Sequence, residues 1–286
     1  NWETELDPNR PDEWPADAVE LRCDRLSVAQ QGGATPDTAA AELNALGKGK
    51  VWGAAVDAGN PDSLKGFIAD ATRELGGLDI YVHNTSGKPA KTYEAWEANF
   101  RIDLMALVLG VDAATEALSA NGGGALISIG TTAAGEHFAS GANSYSAFKA
   151  AVTNWTLGQA QTLGAKGIRC NVVSPGPIWV EGGDWNRVKD GKPEFFAATE
   201  KVHPGGRIGG VQDVANAVVF LASPVAGHIN GAECCGHERP LRRTRLLAAL
   251  ELGPRPDGVG VVDPSGHFRL GCPVVAAERL WQRGVA

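Results

Sequence analysis

An alternation of short apolar runs with helix-forming segments between residues 36 and 233 constrains the fold more than any other feature of the chain. The apolar runs are 51–57, 78–83, 125–129 and 168–173, and the helical segments are 37–46, 61–75, 93–120 and 144–163. Strands that are apolar along their whole length need cover on both faces, which intervening helices supply through right-handed crossovers. The pattern therefore predicts an α/β fold, with a doubly wound parallel sheet and helices on both of its faces.

Polar side chains fall at or just past the ends of the predicted strands. These residues are Asp57, Asn84, Thr131 and Ser174. In open parallel sheets, ligands bind beyond the carboxyl ends of the strands. We therefore expect these four residues to converge on one binding site at that edge of the sheet.

Charge and hydropathy narrow the class of partner. The formal net charge is −7 and the sequence pI is about 5.4, which gives no electrostatic support for binding nucleic acid or anionic membranes. The sequence also contains no run of about 18 apolar residues that could span a bilayer. We expect a small-molecule ligand, with neither nucleic acid nor a membrane as partner.

The cysteines and the first residues bear on the cellular compartment. The five cysteines form no CxxC pair and have no histidine at metal-ligand spacing, so they indicate neither a zinc site nor a disulfide framework. The opening residues Asn1, Trp2 and Glu3 lack the basic-then-apolar order of a signal peptide. These features predict a cytoplasmic protein without a metal.

The two ends of the chain differ in composition from the middle. All ten lysines lie between Lys48 and Lys201, whereas segment 234–286 carries eight arginines and five acidic residues. We therefore divide the chain into an atypical N-terminal segment 1–35, a core 36–233 and an atypical arginine-rich tail 234–286.

Tyr145 and Lys149 lie four residues apart near the start of a predicted helix, so they share one helical face. A tyrosine normally titrates near pH 10, and a nearby ammonium favours the phenolate and lowers its pKa. Such a tyrosine can exchange a proton with an oxygen whose carbon gains or loses hydride. The alternative is an exposed helix pair without a role, because a Tyr-x-x-x-Lys match is common by chance.

The flanking segments distinguish these readings. In order and spacing, "LDIYVHNTSG", "GALISIGTT", "YSAFK", "KGIRCNVVSPGPI" and "GRIGGVQDVANAVVFLASPVAGHINGAE" resemble the short-chain dehydrogenase/reductase family over about residues 36–233. The resemblance implies a Rossmann-like fold and an NAD(P)-dependent oxidoreductase that interconverts a secondary alcohol and a ketone. It also implies a homodimer or homotetramer, assembled through the two long helices.

The resemblance implies roles for residues at the chemistry. Tyr145 matches the family's catalytic acid/base, and Lys149 matches the partner that lowers the tyrosine pKa and holds the nicotinamide ribose. Thr131 is the best match to the hydroxyl donor, with Thr132 and Ser128 as alternatives. Asp103 stands where the family has an asparagine that completes a proton relay.

Further positions match the family's binding site for NAD or NADP. Asp57, with the adjacent Ala58, would meet the adenine, although Asp57 could instead be a helix N-terminal acid. Asn84 matches the second asparagine of the family's Asn-Asn-Ala-Gly element, and its neighbour His83 is interpreted as a local hydrogen-bonding residue. The nicotinamide carboxamide would meet a loop formed by Pro175, Gly176 and Ile178.

Two regions leave the function open. Segment 179–206 combines aromatic residues with glycines and a proline, which suits either a mobile loop over an apolar substrate or an aromatic-anchored surface loop. The family's glycine-rich phosphate turn has no match in 1–35, where the only glycines are Gly32 and Gly33, and the apolar last strand is altered after Gly231. A catalytically impaired relative with a binding or structural role is therefore the alternative to a working oxidoreductase.

Overall fold

The computed structural model of the protein describes residues 36–45, 51–87, 91–120, 122–136 and 141–236. Segment 1–35 and the tail beyond residue 236 lie outside the described residues. The prediction that the glycine-rich phosphate turn is missing concerns segment 1–35 and therefore also lies outside them.

The described helices and strands follow the predicted alternation. The helices are α1 Pro36–Ala45, α2 Pro61–Leu75, α3 Tyr93–Asn99, α4 Ala106–Ser119, α5 Ser144–Leu163, α6 Asp184–Gly191, α7 Pro193–Val202 and α8 Val211–Ala222. The strands are β1 Ile80–His83, β2 Gly124–Ile129, β3 Ile168–Pro175, β4 Ile178–Trp179, β5 Gly209–Gly210 and β6 Glu233–Gly236. A π-helical segment, Phe100–Met105, joins α3 to α4, so the predicted long helix runs on with a locally widened turn.

The main described sheet has four parallel strands in the order β1-β2-β3-β6, and β4 and β5 pair separately in parallel. In register, Val82 lies opposite Ile127, and Val173 lies opposite Cys234. Because the strands are parallel, β1, β2 and β3 end at the same edge of the sheet. The predicted parallel α/β architecture is confirmed.

One strand prediction needs correction. Residues 51–57 form no strand, although Val56 is buried and Trp52 packs against the core. A strand is defined by its hydrogen bonds to a neighbour, and no strand within the described residues pairs with this segment. The last strand, in contrast, is present as β6, because the pairing with β3 uses backbone groups and tolerates the altered side chains.

Helices cover both faces of the sheet. The larger core cluster includes Leu126 of β2 and Leu107 of α4, whereas Ile127, the next residue of β2, packs with Leu221 of α8 in a second cluster. Successive side chains of a strand point to opposite faces. The two clusters are therefore the two sides of one covered sheet.

Side-chain caps fix where the important helices begin. Asn143 accepts a hydrogen bond from the Ser146 amide and starts α5, which places Tyr145 in the first turn. Asn60 caps α2 in the same way by accepting from the amides of Asp62 and Ser63.

Candidate active site

The candidate site lies where β1, β2 and β3 end. Asn84 follows β1 and is exposed, whereas Thr131 follows β2 by two residues and is buried. The end of β3 carries Ser174, which is buried and donates a hydrogen bond of 2.6 Å to the Glu233 carboxylate on β6. Ser174 therefore ties the end of β3 to the neighbouring strand.

Tyr145 is half-buried in the first turn of α5. Burial raises the pKa of its phenol, because the charged phenolate loses solvation there. A hydrogen bond with the Thr131 side chain acts in the opposite direction, and the charges of Asp103 and Asp184 raise the pKa further. The phenol is therefore the favoured form of this side chain at neutral pH.

Lys149 lies one turn further along α5, with a side chain that is only 2% exposed. Its ammonium donates a hydrogen bond of 2.8 Å to the Ile129 carbonyl at the end of β2 and lies 3.5 Å from Asp103 Oδ1. Burial lowers the pKa of Lys149, and the Asp103 carboxylate opposes that effect.

The lowering of the Tyr145 pKa by Lys149 stays a prediction, because burial and the charges of Asp103 and Asp184 raise that pKa in the structure. The interactions that set the tyrosine pKa come from burial, Thr131, Asp103 and Asp184, and their balance raises it. The Lys149 ammonium itself contacts the Asp103 carboxylate and a backbone carbonyl.

The Asp103 carboxylate accepts hydrogen bonds from three neighbouring groups. Its Oδ1 accepts a hydrogen bond of 2.6 Å from the Ser86 hydroxyl, and its Oδ2 accepts from the Gly87 amide at 3.0 Å and from Asn99 Nδ2 at 2.7 Å. The Asp103 cluster, as we call it, comprises Ser86, Gly87, Asn99, Asp103 and Lys149. Asp103 and Asn99 are fully buried.

Sequence reasoning missed Ser86, Gly87 and Asn99. Asn99 could have been predicted as a neighbour of Asp103, because it precedes Asp103 by four residues on one helix. The network continues into α5, where the buried Ser144 hydroxyl donates to Asn99 Oδ1 at 2.6 Å. The residue directly before Tyr145 is therefore anchored to the same cluster.

His83 has the local hydrogen-bonding role that its interpretation assigned. Its Nε2 lies 3.1 Å from the backbone oxygen of Asp103, which makes this nitrogen the donor. Burial lowers the pKa of His83 to about 3, and the positive charge of Lys149 adds to the lowering. The ring is neutral at pH 7 and adds no second positive charge beside the lysine.

The alternative hydroxyl donors lie elsewhere. Ser128 is fully buried within β2 and accepts a hydrogen bond of 2.8 Å from the Thr156 hydroxyl, so it fastens α5 to the sheet. Thr132 begins a short 3-10 helix, Thr132–Ala134. Thr131 is the hydroxyl that the structure brings to Tyr145.

The positions expected to meet the adenine form a local turn. Asp57 is exposed, and its Oδ1 accepts from the Gly59 amide at 3.0 Å. The residue that caps α2 is Asn60, so Asp57 does not fill the N-cap position that its alternative reading suggested. Ala58 is half-buried against the core.

The positions expected to meet the carboxamide connect two strands. Pro175 ends β3 and Ile178 begins β4, with Gly176 between them. Ile178 pairs with Gly209, and the Gly209 amide donates to the Pro177 carbonyl at 3.0 Å. This pairing fixes the connection at the carboxyl edge of the sheet.

Helices α6 and α7 occupy the predicted substrate loop. Trp185 stacks on Phe195 with ring centroids 6.2 Å apart, and Trp179 meets Phe196 edge to face at 5.8 Å. The Lys189 ammonium lies 5.1 Å from the Trp179 ring centroid. The loop is therefore organised by its own aromatic contacts.

Known proteins are similar to this chain in sequence and in fold. Residues 22–235 match the family described as enoyl-(acyl carrier protein) reductase. Isoepoxydon dehydrogenase patN of Penicillium expansum is 34% identical over 180 residues, which cover 63% of this chain and 70% of that protein. The L-rhamnose 1-dehydrogenase (NAD(P)(+)) of a Sphingomonas species is 30% identical over 201 residues, covering 67% and 76%.

Solved structures agree. A 7 alpha-hydroxysteroid dehydrogenase, complexed with NADH and 7-oxo glycochenodeoxycholic acid, aligns with a TM-score of 0.64 at 26% identity, covering 70% of this chain and 78% of that one. The class of protein that the fold and the sequence define is an α/β oxidoreductase with a Rossmann fold. The chain belongs to the short-chain dehydrogenase/reductase family.

The described residues contain neither a membrane-spanning helix nor a cluster of metal ligands. Among them, no helix is both long enough and apolar enough to cross a membrane. The same residues contain no group of three or more His, Cys, Asp or Glu side chains that could hold a metal ion.

Proposed function

We propose that the protein is an NAD(P)-dependent oxidoreductase that interconverts a ketone and a secondary alcohol, with Tyr145 as the acid/base. The observation that carries this proposal is the Tyr145 phenol in contact with the Thr131 side chain at the carboxyl edge of the parallel sheet. Catalysis by proton transfer needs a titratable group within hydrogen-bond reach of the reacting oxygen.

The described residues suit a nicotinamide dinucleotide in the chemistry that they offer. Tyr145 and Lys149 would hold the nicotinamide ribose, and the Pro175, Gly176 and Ile178 backbone would hold the carboxamide. At the other end, Asp57 and Ala58 would lie at the adenine, with Asn84 between. When bound, NAD or NADP accepts or supplies the hydride.

In the direction of reduction, the carbonyl carbon gains a hydride and its oxygen takes the proton from the Tyr145 phenol. Thr131 donates a hydrogen bond to the same oxygen, which stabilises the negative charge that develops there. In oxidation, the Tyr145 phenolate removes the alcohol proton while hydride leaves the carbon. Because burial raises the Tyr145 pKa, the acid form that the reduction needs prevails at neutral pH.

We propose an apolar substrate, because the loop of α6 and α7 presents the exposed ring of Phe195 beside Trp185. The relatives named above act on different molecules, so the likeness supports the reaction type more than any substrate. We also propose a cytoplasmic location and a small-molecule substrate as the only ligand besides the cofactor, in keeping with the acidic composition.

We further propose a homodimer or homotetramer. Tyr93, Trp96 and Phe100 are exposed on one stretch of helix, and the ring centroid of Phe148 on α5 lies 5.7 Å from that of Trp96. An apolar surface shared by two long helices is typical of a subunit interface.

The test is NADH and NADPH oxidation with a panel of apolar ketones. Tyr145→Phe is expected to lower kcat by about 100-fold or more with the fold retained, since general acid catalysis contributes that much. Tyr93→Phe, at an exposed tyrosine outside the site, is the matched control and keeps full activity. Undiminished turnover by Tyr145→Phe would refute the assignment.

A catalytically impaired relative is the second candidate, because the residues expected to bind the pyrophosphate are missing from the sequence of 1–35. Fluorescence titration with NADH and NADPH separates the two candidates. Saturable binding of either cofactor supports the oxidoreductase, and no binding up to millimolar concentration supports the impaired relative.

A further inference from the structure

Lys149 is held by two partners, the Ile129 backbone carbonyl and the Asp103 carboxylate. Its ammonium donates to the Ile129 carbonyl at 2.8 Å and pairs with Asp103 Oδ1 at 3.5 Å. Both charged side chains are almost completely buried, so water screens neither charge. The position of the lysine therefore depends on the carboxylate beside it.

The donors around Asp103 need a carboxylate. Ser86 donates to Oδ1, whereas the Gly87 amide and Asn99 Nδ2 both donate to Oδ2. An asparagine here could keep its oxygen toward the Gly87 and Asn99 donors, and the Ser86 hydroxyl could accept from its NH2 group. That NH2 group would then face the Lys149 ammonium, which can only donate. The aspartate thus differs from an amide both in charge and in the hydrogen bonds that it can satisfy.

The turn after β1 is built to approach this carboxylate closely. A Cβ atom placed on Gly87 would lie 2.5 Å from Asn99 Nδ2 and 3.3 Å from Asp103 Oδ2. Gly87 therefore lets the backbone amide reach Asp103 without a side chain in the way.

We propose that Asp103 is a positioning residue whose carboxylate fixes the Lys149 ammonium against the Ile129 carbonyl and offsets its positive charge at the Tyr145 hydroxyl. This inference rests on the proposed acid/base role of Tyr145. Among the described residues, the other titratable groups that act on the pair and the tyrosine are His83, which is neutral at pH 7, and Asp184 at the start of α6.

The effect of Asp103 on the tyrosine supports the proposal. The charge of Asp103 raises the Tyr145 pKa, together with burial and Asp184. Removing the carboxylate would remove one cause of the raised pKa and leave the lysine charge without its counter-charge. Both changes favour the phenolate.

The experiment is a spectrophotometric titration of tyrosine ionisation in the protein without added ligand. Subtracting the curve of the same protein carrying Tyr145→Phe isolates Tyr145 from the other tyrosines, and circular dichroism limits the pH range to folded protein. In Asp103→Asn, the Tyr145 midpoint is expected about 1 pH unit or more below its wild-type value. An unchanged midpoint in folded Asp103→Asn overturns the proposal.

A double variant keeps the test decisive if Asp103→Asn does not fold. Asp103→Asn/Lys149→Gln contains no unpaired buried charge, so its fold is better protected. Because the double variant loses the Asp103 charge that raises the Tyr145 pKa, it is also expected to titrate at lower pH than wild type. A midpoint equal to or above that of wild type would show that the lysine, and not Asp103, controls the tyrosine.

Ser86→Ala separates charge from loosened structure. It removes one hydrogen bond to Asp103 but keeps both charges, so its Tyr145 midpoint is expected to equal that of wild type. A shift as large as that of Asp103→Asn would overturn the electrostatic account. Since the titration needs neither cofactor nor ketone, a failure of the proposed function, seen as absent turnover in wild type, is recorded separately.

Discussion

His83 shows how a single buried side chain sets acid stability. Its pKa is about 3 in the folded protein, against about 6.5 in an unfolded chain. Between these two values the unfolded state binds the extra proton, so the folded state loses stability as the pH falls from 6.5 toward 3.

We therefore expect the free energy of unfolding of His83→Gln to fall less than that of wild type when the pH is lowered. Wild type should lose about 3 kcal/mol more than the variant between pH 7 and pH 4, because glutamine can donate to the Asp103 carbonyl without titrating. Urea unfolding at both pH values measures the difference. Parallel losses in the two proteins would contradict the assignment to His83.

Cysteine reactivity follows from burial. Cys170 is fully buried, and burial raises its pKa to about 12, whereas Cys234 and Cys235 are exposed on β6. The thiolate is the reactive form, and burial and the charge of Glu233 raise the pKa of Cys235. We therefore expect Cys234 to be alkylated first in the native protein, Cys235 more slowly and Cys170 only after unfolding. Peptide mapping by mass spectrometry identifies the labelled residues, and rapid native labelling of Cys170 would contradict this prediction.

At the residue scale, the sequence identified the side chains of the candidate site but not that the Tyr145 pKa is raised. Tyr145, Thr131 and Lys149 could be selected by spacing and by resemblance. The resemblance also brings the charge of Asp103 next to Lys149, but it does not tell whether the lysine contacts that acid or the phenol on its own helix. Only the packing of the π-helical segment against α5 decides that Asp103 is the partner.

At the scale of the elements, Gly110 lets α4 lie close to β1. A Cβ atom on Gly110 would lie 3.0 Å from Tyr81 Cζ and would overlap its hydroxyl. Alanine normally stabilises a helix relative to glycine by roughly 0.5–1 kcal/mol. Overpacking a core typically costs about 1–3 kcal/mol, so we expect Gly110→Ala to be destabilising.

Gly158→Ala is the matched control, because Gly158 lies in α5 with no atom within 4 Å of the Cβ position. This variant is expected to be stabilised by about 0.5–1 kcal/mol. Thermal unfolding of both variants measures the contrast. Two changes of the same sign would show that helix propensity, rather than contact with Tyr81, determines the result.

Arg169 joins β3 to the end of α8. Its guanidinium donates to the carbonyls of Leu221, Ala222 and Ser223 at 2.6 to 3.1 Å, where a helix end leaves carbonyls without partners. We expect Arg169→Gln to lower the free energy of unfolding by about 2 kcal/mol, the range of hydrogen bonds from charged groups. Arg73→Gln, at an exposed ion pair with Asp70, is the control and should leave the unfolding midpoint unchanged.

The elements were predictable to different degrees for physical reasons. Helix α5 runs over 144–163 as predicted, because a capping asparagine and a glycine mark its ends. The structure of segment 51–57 was not predictable, since an apolar run has the same sequence pattern whether it pairs in a sheet or only packs against the core. Pairing partners are a property of the whole sheet and are not encoded in the run itself.

At the scale of the whole molecule, a parallel sheet covered by helices on both faces follows from the alternation, but the assembly of subunits does not. The sequence pattern of the two long helices predicts apolar positions without saying whether a helix of the same chain or of another covers them. In the structure, Tyr93 is 78% exposed and Phe100 is 43% exposed, while Phe148 packs against Phe100 with centroids 5.9 Å apart. The exposed aromatic face therefore spans α3 and α5.

If this face joins subunits, a charge on it should separate them. We expect wild type to sediment as a dimer or tetramer and Phe100→Asp to shift toward monomer at the same concentration, because an unpaired carboxylate would be buried in the interface. Phe195→Asp is the control: Phe195 is 56% exposed in the substrate loop, so its replacement should leave the mass unchanged and raise the KM for an apolar ketone. Analytical ultracentrifugation measures both. A monomeric wild type, or equal masses for wild type and Phe100→Asp, would rule out this face as the interface.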